Sequence, residues 1–332
     1  MSEVPIGLRS GKAIMKIQDA VYGEFDINES ILIELIQSKV LSRLEGISQY
    51  GIPDKYYFKE NFNRFEHSIG VMILLRKLGA GIEEQLAGLI HDISQFSFSH
   101  ISDWVFADGH KGNESYHDTL HDSFVSKTEI PEILSSHGFS IKRLLDESNF
   151  PLLENNLPDI CADRIDYSLR ELSHDGDTKL VAQILQGIKS KNKKIYFNDK
   201  KSALLFSNAF LNLQTTHWAS VKAVTSYSLF SRAFKIAVTD GLIEHDDFWN
   251  KSEDELIKIL LKSGNKEILS TLSRLENGQL DDKTGERVYK KFRYVDPFVI
   301  TEKGLVRLSK LDPEYCESLE EAKQQNSQGI LV

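Results

Sequence analysis

Residues 83–100 read EEQLAGLIHDISQFSFSH, and the placement of this stretch decides the organisation of the chain. Leu86, Ala87, Leu89 and Ile90 recur at the spacing of a buried helix, which predicts a helix from about Glu83 to Ile93. His91 and Asp92 close that apolar run. A carboxylate at the end of a helix suited to burial needs a cation or several donors. Adjacent helix positions differ by about 100°, so the two side chains converge only on a ligand lying in the wedge between them. A metal at a helix junction meets that condition, and imidazole with carboxylate suits a divalent ion such as Zn, Mn or Fe.

Working outward, a helix is predicted over about Phe65–Leu78, carrying His67 in RFEHSIGV, and another over 158–172, carrying Asp163 in DICADRIDY. Both could close a metal site from facing helices. Upstream, residues 12–27 alternate around a glycine and predict two strands about a turn, followed from Asn28, a candidate N-cap, by two short helical segments. A loop or small hairpin is predicted over 50–63. Helical patterns recur near 114–126 and 178–190, and an apolar stretch without proline between Lys200 and Leu242 reads as one long helix or two joined ones. Ser252-Glu253-Asp254-Glu255 matches a capping box. Beyond Gly278 the chain predicts strands over Lys291–Ile300 and Leu305–Leu308 and a short charged helix near 318–324. The predicted fold is therefore mainly α, a helical core with small β additions at both ends. Its expected divisions are a hairpin-like segment (1–27), a catalytic core (28–190), a helical extension (191–278) and a small α+β segment (279–332).

Composition narrows the function. Lys and Arg number 40 against 49 Asp and Glu, a net charge of -9, which argues against dedicated binding of duplex nucleic acid. Cys161 and Cys316 lack metal-binding or redox spacing, and each is expected to be a small buried hydrophobe of a reducing compartment. The opening residues have no basic region ahead of an apolar core, and no run of 18 apolar residues occurs anywhere, so a cytoplasmic rather than membrane-embedded protein is expected.

The ordered set His67, His91-Asp92 and Asp163 resembles the H…HD…D signature of the HD-domain phosphohydrolases. Through RFEHSIGV, HDISQFSFSH and ADRIDY it resembles the branch that hydrolyses deoxynucleoside triphosphates, from about Ile17 to the TDGLIEHDDF segment. The resemblance implies that the four signature residues bind a catalytic divalent metal (Mn, Fe, Mg, Zn or Co) and that the reaction releases a deoxynucleoside and tripolyphosphate. It further implies substrate contacts by Gln49 beside the sugar, Arg64 toward phosphate, Arg164 and Tyr167 toward phosphate and sugar, and Arg170 and Glu171 toward phosphate and a sugar hydroxyl. A homo-oligomer is implied as well, and the apolar length of residues 203–238 suggests an interface.

Two departures stand out. Members of that branch carry a second histidine three positions after the HD pair, where this chain has Gln95, an amide that cannot carry a proton near neutral pH. His121 or His117, four positions apart in ESYHDTLHDSF, is expected to take the part, with His121 preferred and Asp103 as its acidic partner. The stretch TTHWASVKAV offers only His217 and Lys222 where the relatives grip the triphosphate. Two other readings follow: an HD enzyme acting on another phosphoester, recruiting an extra histidine to a second metal, or a non-catalytic nucleotide-sensing module.

Overall fold

A computed structural model of the chain describes residues 6–9, 12–112, 116, 118–280, 285 and 287–332. Its centre is the Arg64–Lys77 helix, started by Asn63, whose side chain accepts from the Glu66 N–H at 2.9 Å. Ser68 through Leu75 are all buried, so the middle of this helix has no solvent face and is enclosed by its neighbours. The Ile82–Ile90 and Ala162–His174 helices pack directly on it. Gly88 permits the first of these approaches, because a Cβ there would strike Leu75 and come within 3.1 Å of Val71. The expected helix over 83–93 stops at Ile90, leaving His91 as its C-cap and Asp92 in the turn beyond. The pair thus sits at a helix mouth rather than on a helix face.

The N-terminal sheet is antiparallel in chain order, Ile6–Arg9, Lys12–Asp19 and Gly23–Ile27, with Ile17 opposite Phe25. The turn between the last two strands is closed by the Asp19 carboxylate, which accepts from the Val21 and Tyr22 N–H groups at 2.8 Å each. The next helix, Ser30–Ile36, has Glu29 rather than Asn28 at its N-cap.

The long apolar stretch resolves into two joined helices, Lys200–Leu213 and Val221–Thr239, separated by a π-turn over Gln214–Trp218. The second helix is covered by its own chain. Phe230, Phe234, Ala237 and neighbours form a second apolar cluster with Tyr50, Tyr56, Phe96, Phe98, Trp104 and Phe248, so its length needs no partner to bury it. The capping box is present at Ser252 and Glu255.

Sequence periodicity missed one hairpin. Ile188–Lys191 and Lys194–Phe197 pair about Asn192 and Lys193, both at positive φ (52° and 60°), a two-residue turn that matches strand twist. Phe197 then pairs in parallel with Val299 of the Phe298–Thr301 strand, which pairs with Gly304–Arg307. This four-stranded sheet therefore joins residues on both sides of the expected boundaries at 190 and 278. The expected strand over 291–300 is confined to its last residues, and 291–297 is irregular. The terminal helix runs Pro313–Ser327, longer than its charged centre implied, and Asp312 caps it. Around 114–126 the described residues form a 3-10 turn, Asp118–Leu120, and a helix, His121–Val125. Cys161 is buried as expected, whereas Cys316 is only partly so.

Candidate metal centre and the cavity around it

His67, His91, Asp92 and Asp163 come together from three helices. His67 Nε2 lies 3.0 Å from Asp163 Oδ1 and 3.8 Å from Asp92 Oδ2, and His91 Nε2 lies 3.5 Å from the former and 3.7 Å from the latter. One ligand atom each from His67, His91 and Asp163 falls within 4.8 Å of the others. The Nδ1–H of His67 donates to Asp166 Oδ2 at 2.8 Å, and that of His91 donates to the Gly88 carbonyl at 2.7 Å. With both Nδ1 atoms engaged, both Nε2 atoms turn toward the carboxylates, the tautomer a metal needs. His91 Nε2 is buried without a hydrogen-bond partner among the described residues. The two nitrogens and the Asp163 carboxylate lie close enough together to hold one divalent ion, with Asp92 beside them and paired with Arg64.

The electrostatics show the same demand for positive charge. Burial opposes protonation of His91, yet Asp92 and then Asp163 hold its imidazole up to about 10. His67 is raised against burial by its bonds to Asp163 and Asp166. Burial works against ionisation of Asp92 and Asp163 too, but Arg64 beside the former and the two imidazoles beside the latter keep both carboxyls well below the usual range. Protons on the imidazoles and a divalent cation are thus alternative ways of neutralising one cluster.

Behind the quartet runs a buried chain of charge. Asp166 Oδ1 accepts from Arg170 Nη2 at 2.9 Å, and the same guanidinium reaches Asp19 Oδ2 at 3.0 Å. Gly70 leaves room for it, since a Cβ there would collide with Arg170 and Asp166. This corrects one expectation: Arg170, 1% exposed, faces the N-terminal turn rather than a phosphate. The three residues close a relay that fixes His67.

The quartet opens on a cavity of about 660 Å³, whose lining includes Gln49, Arg64, Arg164, Tyr167 and Glu171, as well as Gln95 and His121. Arg64 is buried and largely committed, donating to Asp92 Oδ2 at 2.5 Å and to Ser99 Oγ at 2.8 Å. Arg164 donates to Glu154 at 2.6 Å and to the Asn155 and Asp159 carbonyls at 2.8 Å. Glu171 accepts from His217 Nδ1 at 2.6 Å, Lys59 Nζ at 2.7 Å and Trp218 Nε1 at 2.8 Å. The Gln49 Oε1 atom has no hydrogen-bond partner among the described residues. Tyr167 stands between His67 and Trp218, with ring centroids 6.4 and 5.4 Å away.

Gln95 donates from Nε2 to Asp92 Oδ1 at 3.3 Å, so its amide steadies a quartet carboxylate. His121 lines the cavity and its Nδ1 lies 2.7 Å from Ser94 Oγ, whereas His117 lies outside the described residues. The fully buried Asp103 accepts from the Tyr116 N–H at 3.1 Å through Oδ1. Its Oδ2 is 3.5 Å from Nδ1 of His100, which lines the cavity beside the quartet. Sequence reasoning passed over His100, although the signal was present: His100 and Asp103 are three positions apart on one helix and must share a face.

A second support comes from far along the chain. Glu253 accepts from the N–H and hydroxyl of Ser48 at 3.0 and 2.6 Å and from the Phe98 N–H at 3.1 Å. It ties the loop carrying Gln49 to the start of the Ser99–Phe106 helix that carries His100. Phe98 adopts a left-handed conformation there (φ 64°), and Gly51 packs so closely that a Cβ would sit 3.1 Å from the Phe98 carbonyl. Tyr50, Trp218, Tyr227, Lys290, Lys291 and Arg293 also line the cavity, together with the acidic Asp122, Asp146, Glu147 and Glu154. No local motif announces them.

Residues 64–171 match the family described as HD domain. The chain is 34% identical to the uncharacterized protein YdhJ of Bacillus subtilis, over 96% of this chain and 98% of that protein. It is 32% identical to the metal-dependent phosphohydrolase cns2 of Cordyceps militaris, over 85% of this chain and 84% of the relative. A shorter match, 28% identical over 41% of this chain and 25% of the relative, is to the deoxynucleoside triphosphate triphosphohydrolase SAMHD1 of Gallus gallus. Among the described residues, no helix is long and apolar enough to cross a membrane. With an HD quartet assembled at the mouth of a cavity and relatives matched over nearly the whole chain, the protein belongs to the HD-domain family of metal-dependent phosphohydrolases.

Proposed function

We propose that the protein hydrolyses a nucleotide, with a deoxynucleoside triphosphate as its substrate and a deoxynucleoside and tripolyphosphate as products. The observation that carries this reading is the continuity of one cavity, from the quartet and His100 to the aromatic side chains of Tyr50, Tyr167, Trp218 and Tyr227. A cavity of this volume accepts a whole nucleotide, and aromatic faces suit a base or sugar. The short match to a triphosphohydrolase supports the same substrate class.

In this reading His67, His91, Asp92 and Asp163 hold one divalent ion, which supplies Lewis acidity toward a phosphoryl oxygen and toward water. Arg64 and Gln95 keep Asp92 in place, and Asp166 does the same for His67. His100, oriented by Asp103, moves a proton at the reacting oxygen, the part that Gln95 cannot play. His121 assists from the other side of Ser94. Glu171, held by three donors, faces a sugar hydroxyl, and Gln49 offers its unpartnered carbonyl oxygen to the same sugar. The protein works in the cytoplasm as a homo-oligomer, for which light scattering at micromolar concentration is the check.

A second reading, hydrolysis of another phosphoester, draws on the broader match to a metal-dependent phosphohydrolase whose name specifies no nucleotide. A screen of nucleotides and simple phosphoesters against Mg, Mn, Fe and Co, with products separated by chromatography, decides between them. Metal-dependent release of tripolyphosphate is expected; release of orthophosphate or a diester product alone would favour the second reading. Nucleotide binding without turnover under every metal would return the sensing module.

A further inference from the structure

Between the metal pair and His100 the chain runs through a turn with no helix or strand. The helix ending at Ile90 presents His91 and Asp92, and the next one, Ser99–Phe106, carries His100 at its second position. Residues 93–98 join them, so their path fixes where the His100 imidazole stands against the quartet. A reacting group displaced by about 1 Å loses roughly a hundredfold in rate. Whatever holds this turn therefore bears on the chemistry.

The turn is held from outside itself. The Arg43 guanidinium donates to the Ile93 and Gln95 carbonyls at 2.8 and 2.7 Å. Four further bonds come from one short stretch, residues 248–253, which lies beyond the HD-domain region at 64–171. The indole Nε1–H of Trp249 donates to the Ser94 carbonyl at 3.0 Å, and the Ser97 N–H donates to the Phe248 carbonyl at 2.8 Å. The Ser97 hydroxyl donates to the Lys251 carbonyl at 2.6 Å, and the Phe98 N–H to Glu253 Oε1 at 3.1 Å. Rings fix the same contact: Trp249 stacks on Phe96 and Phe98 packs against Phe234, each pair with centroids 4.6 Å apart. A bulky residue at positive φ persists only where its surroundings over-determine it, and Phe98 is such a residue. Glu253, 5% exposed, is where these supports meet, because it also accepts from Ser48 beside Gln49.

We propose that residues 248–253 are a brace that sets the His100 imidazole at its working distance from the metal pair, with Glu253 as the positioning residue. Residues 248–253 do not line the cavity, so their effect passes through the turn. The proposal rests on the reading of His100 as the proton carrier, but the hold on the turn has its own measurement.

Hydrogen exchange of the full chain, read by mass spectrometry, reports on the turn, and turnover of deoxynucleoside triphosphates with manganese reports on its consequence. Glu253→Ala should speed exchange over 94–102 by roughly 10- to 100-fold, while the Arg64–Lys77 and Ala162–His174 helices and the metal content stay as in the wild type. It should lower kcat by a similar factor, roughly 10- to 100-fold, and any rise in KM belongs to the Ser48 and Gln49 side. Glu253→Gln keeps an oxygen for the Phe98 N–H and should restore most of kcat. In a His100→Ala background, Glu253→Ala should lower kcat by no more than about a further twofold, because the group it positions is gone. Ser97→Ala removes one hydroxyl and should show the same pattern with a loss of roughly 2- to 10-fold, which keeps the idea testable if Glu253→Ala folds poorly. Unchanged exchange over 94–102, a full loss on top of His100→Ala, or metal lost from Glu253→Ala would each overturn the brace. So would a loss in Glu253→Gln equal to that in Glu253→Ala. Wild-type turnover in His100→Ala, or a wild type that hydrolyses none of the triphosphates, would instead sink the proton-carrier or the nucleotide reading, and the exchange comparison would still decide whether the brace holds the turn.

Discussion

The quartet and the far wall of the cavity are built on opposite plans. Around His67 the side chains hold one another in a chain, Asp163 to His67 to Asp166 to Arg170 to Asp19, buried except at Asp163 and bonded at 2.8–3.0 Å. At Tyr50, Tyr227 and Lys291 the lining comes from three distant segments: the two tyrosines are buried and joined by the Tyr227 hydroxyl donating to the Tyr50 carbonyl at 2.8 Å, while Lys291 is exposed. Chemistry on a phosphoryl group needs ligands fixed before the substrate arrives. Recognition of a large, jointed molecule can be shared among side chains from separate segments. The contrast lets each half be broken separately.

The largest effect is expected from the rigid half itself. Asp163→Ala or Asp92→Ala should abolish metal binding, by elemental analysis, and activity with it, while far-ultraviolet circular dichroism stays native. Retained metal in both variants would mean the ion is held elsewhere. Next comes His100→Ala, which should lower turnover by roughly 10²–10⁴ with metal content intact, and by more than His121→Ala does. A larger loss from His121→Ala would move the proton-carrying part away from the His100–Asp103 pair.

Asp19→Asn should then reveal how far the relay reaches. Weakening a buried ion pair that props a ligand's partner should reduce metal affinity by roughly 10–100-fold and lower the melting temperature, although Asp19 touches neither metal nor cavity. Unchanged metal affinity would confine Asp19 to the hairpin.

The smallest effect concerns pH. Burial pushes the Glu253 carboxyl up to about 7, in spite of the donors from Ser48 and Phe98. The folded protein therefore holds this proton more firmly than the unfolded chain. The stability it contributes is complete below the ordinary value of 4.5 and is lost as pH rises through about 7. Glu253→Gln should flatten the fall in melting temperature between those limits, and parallel curves for the two proteins would refute the assignment.

What could be read beforehand follows the same contrast. The quartet was legible because helical spacing and the need of a buried carboxylate for a cation act within a few residues. Arg170 was misplaced because its spacing from Asp163 does not say which face of the helix meets Asp19, a contact made 151 residues away. His100 could have been found from its distance to Asp103. Trp218 and Lys291 could not, since a π-turn and an irregular strap leave no period in the sequence. The Ile188–Phe197 hairpin was hidden for a third reason: its turn rests on Asn192 and Lys193 at positive φ, and lysine does not advertise that conformation.

The π-turn also sets a limit on how this chain can be shortened. Gln214–Trp218 holds a wider turn than an α-helix, and within it His217 and Trp218 both reach Glu171. Deleting one residue there would reset the angular phase of everything that follows by about 100°, swinging the indole away from Glu171 while the apolar composition stayed almost the same. Alignments in this region should therefore tolerate substitution far better than a change in length.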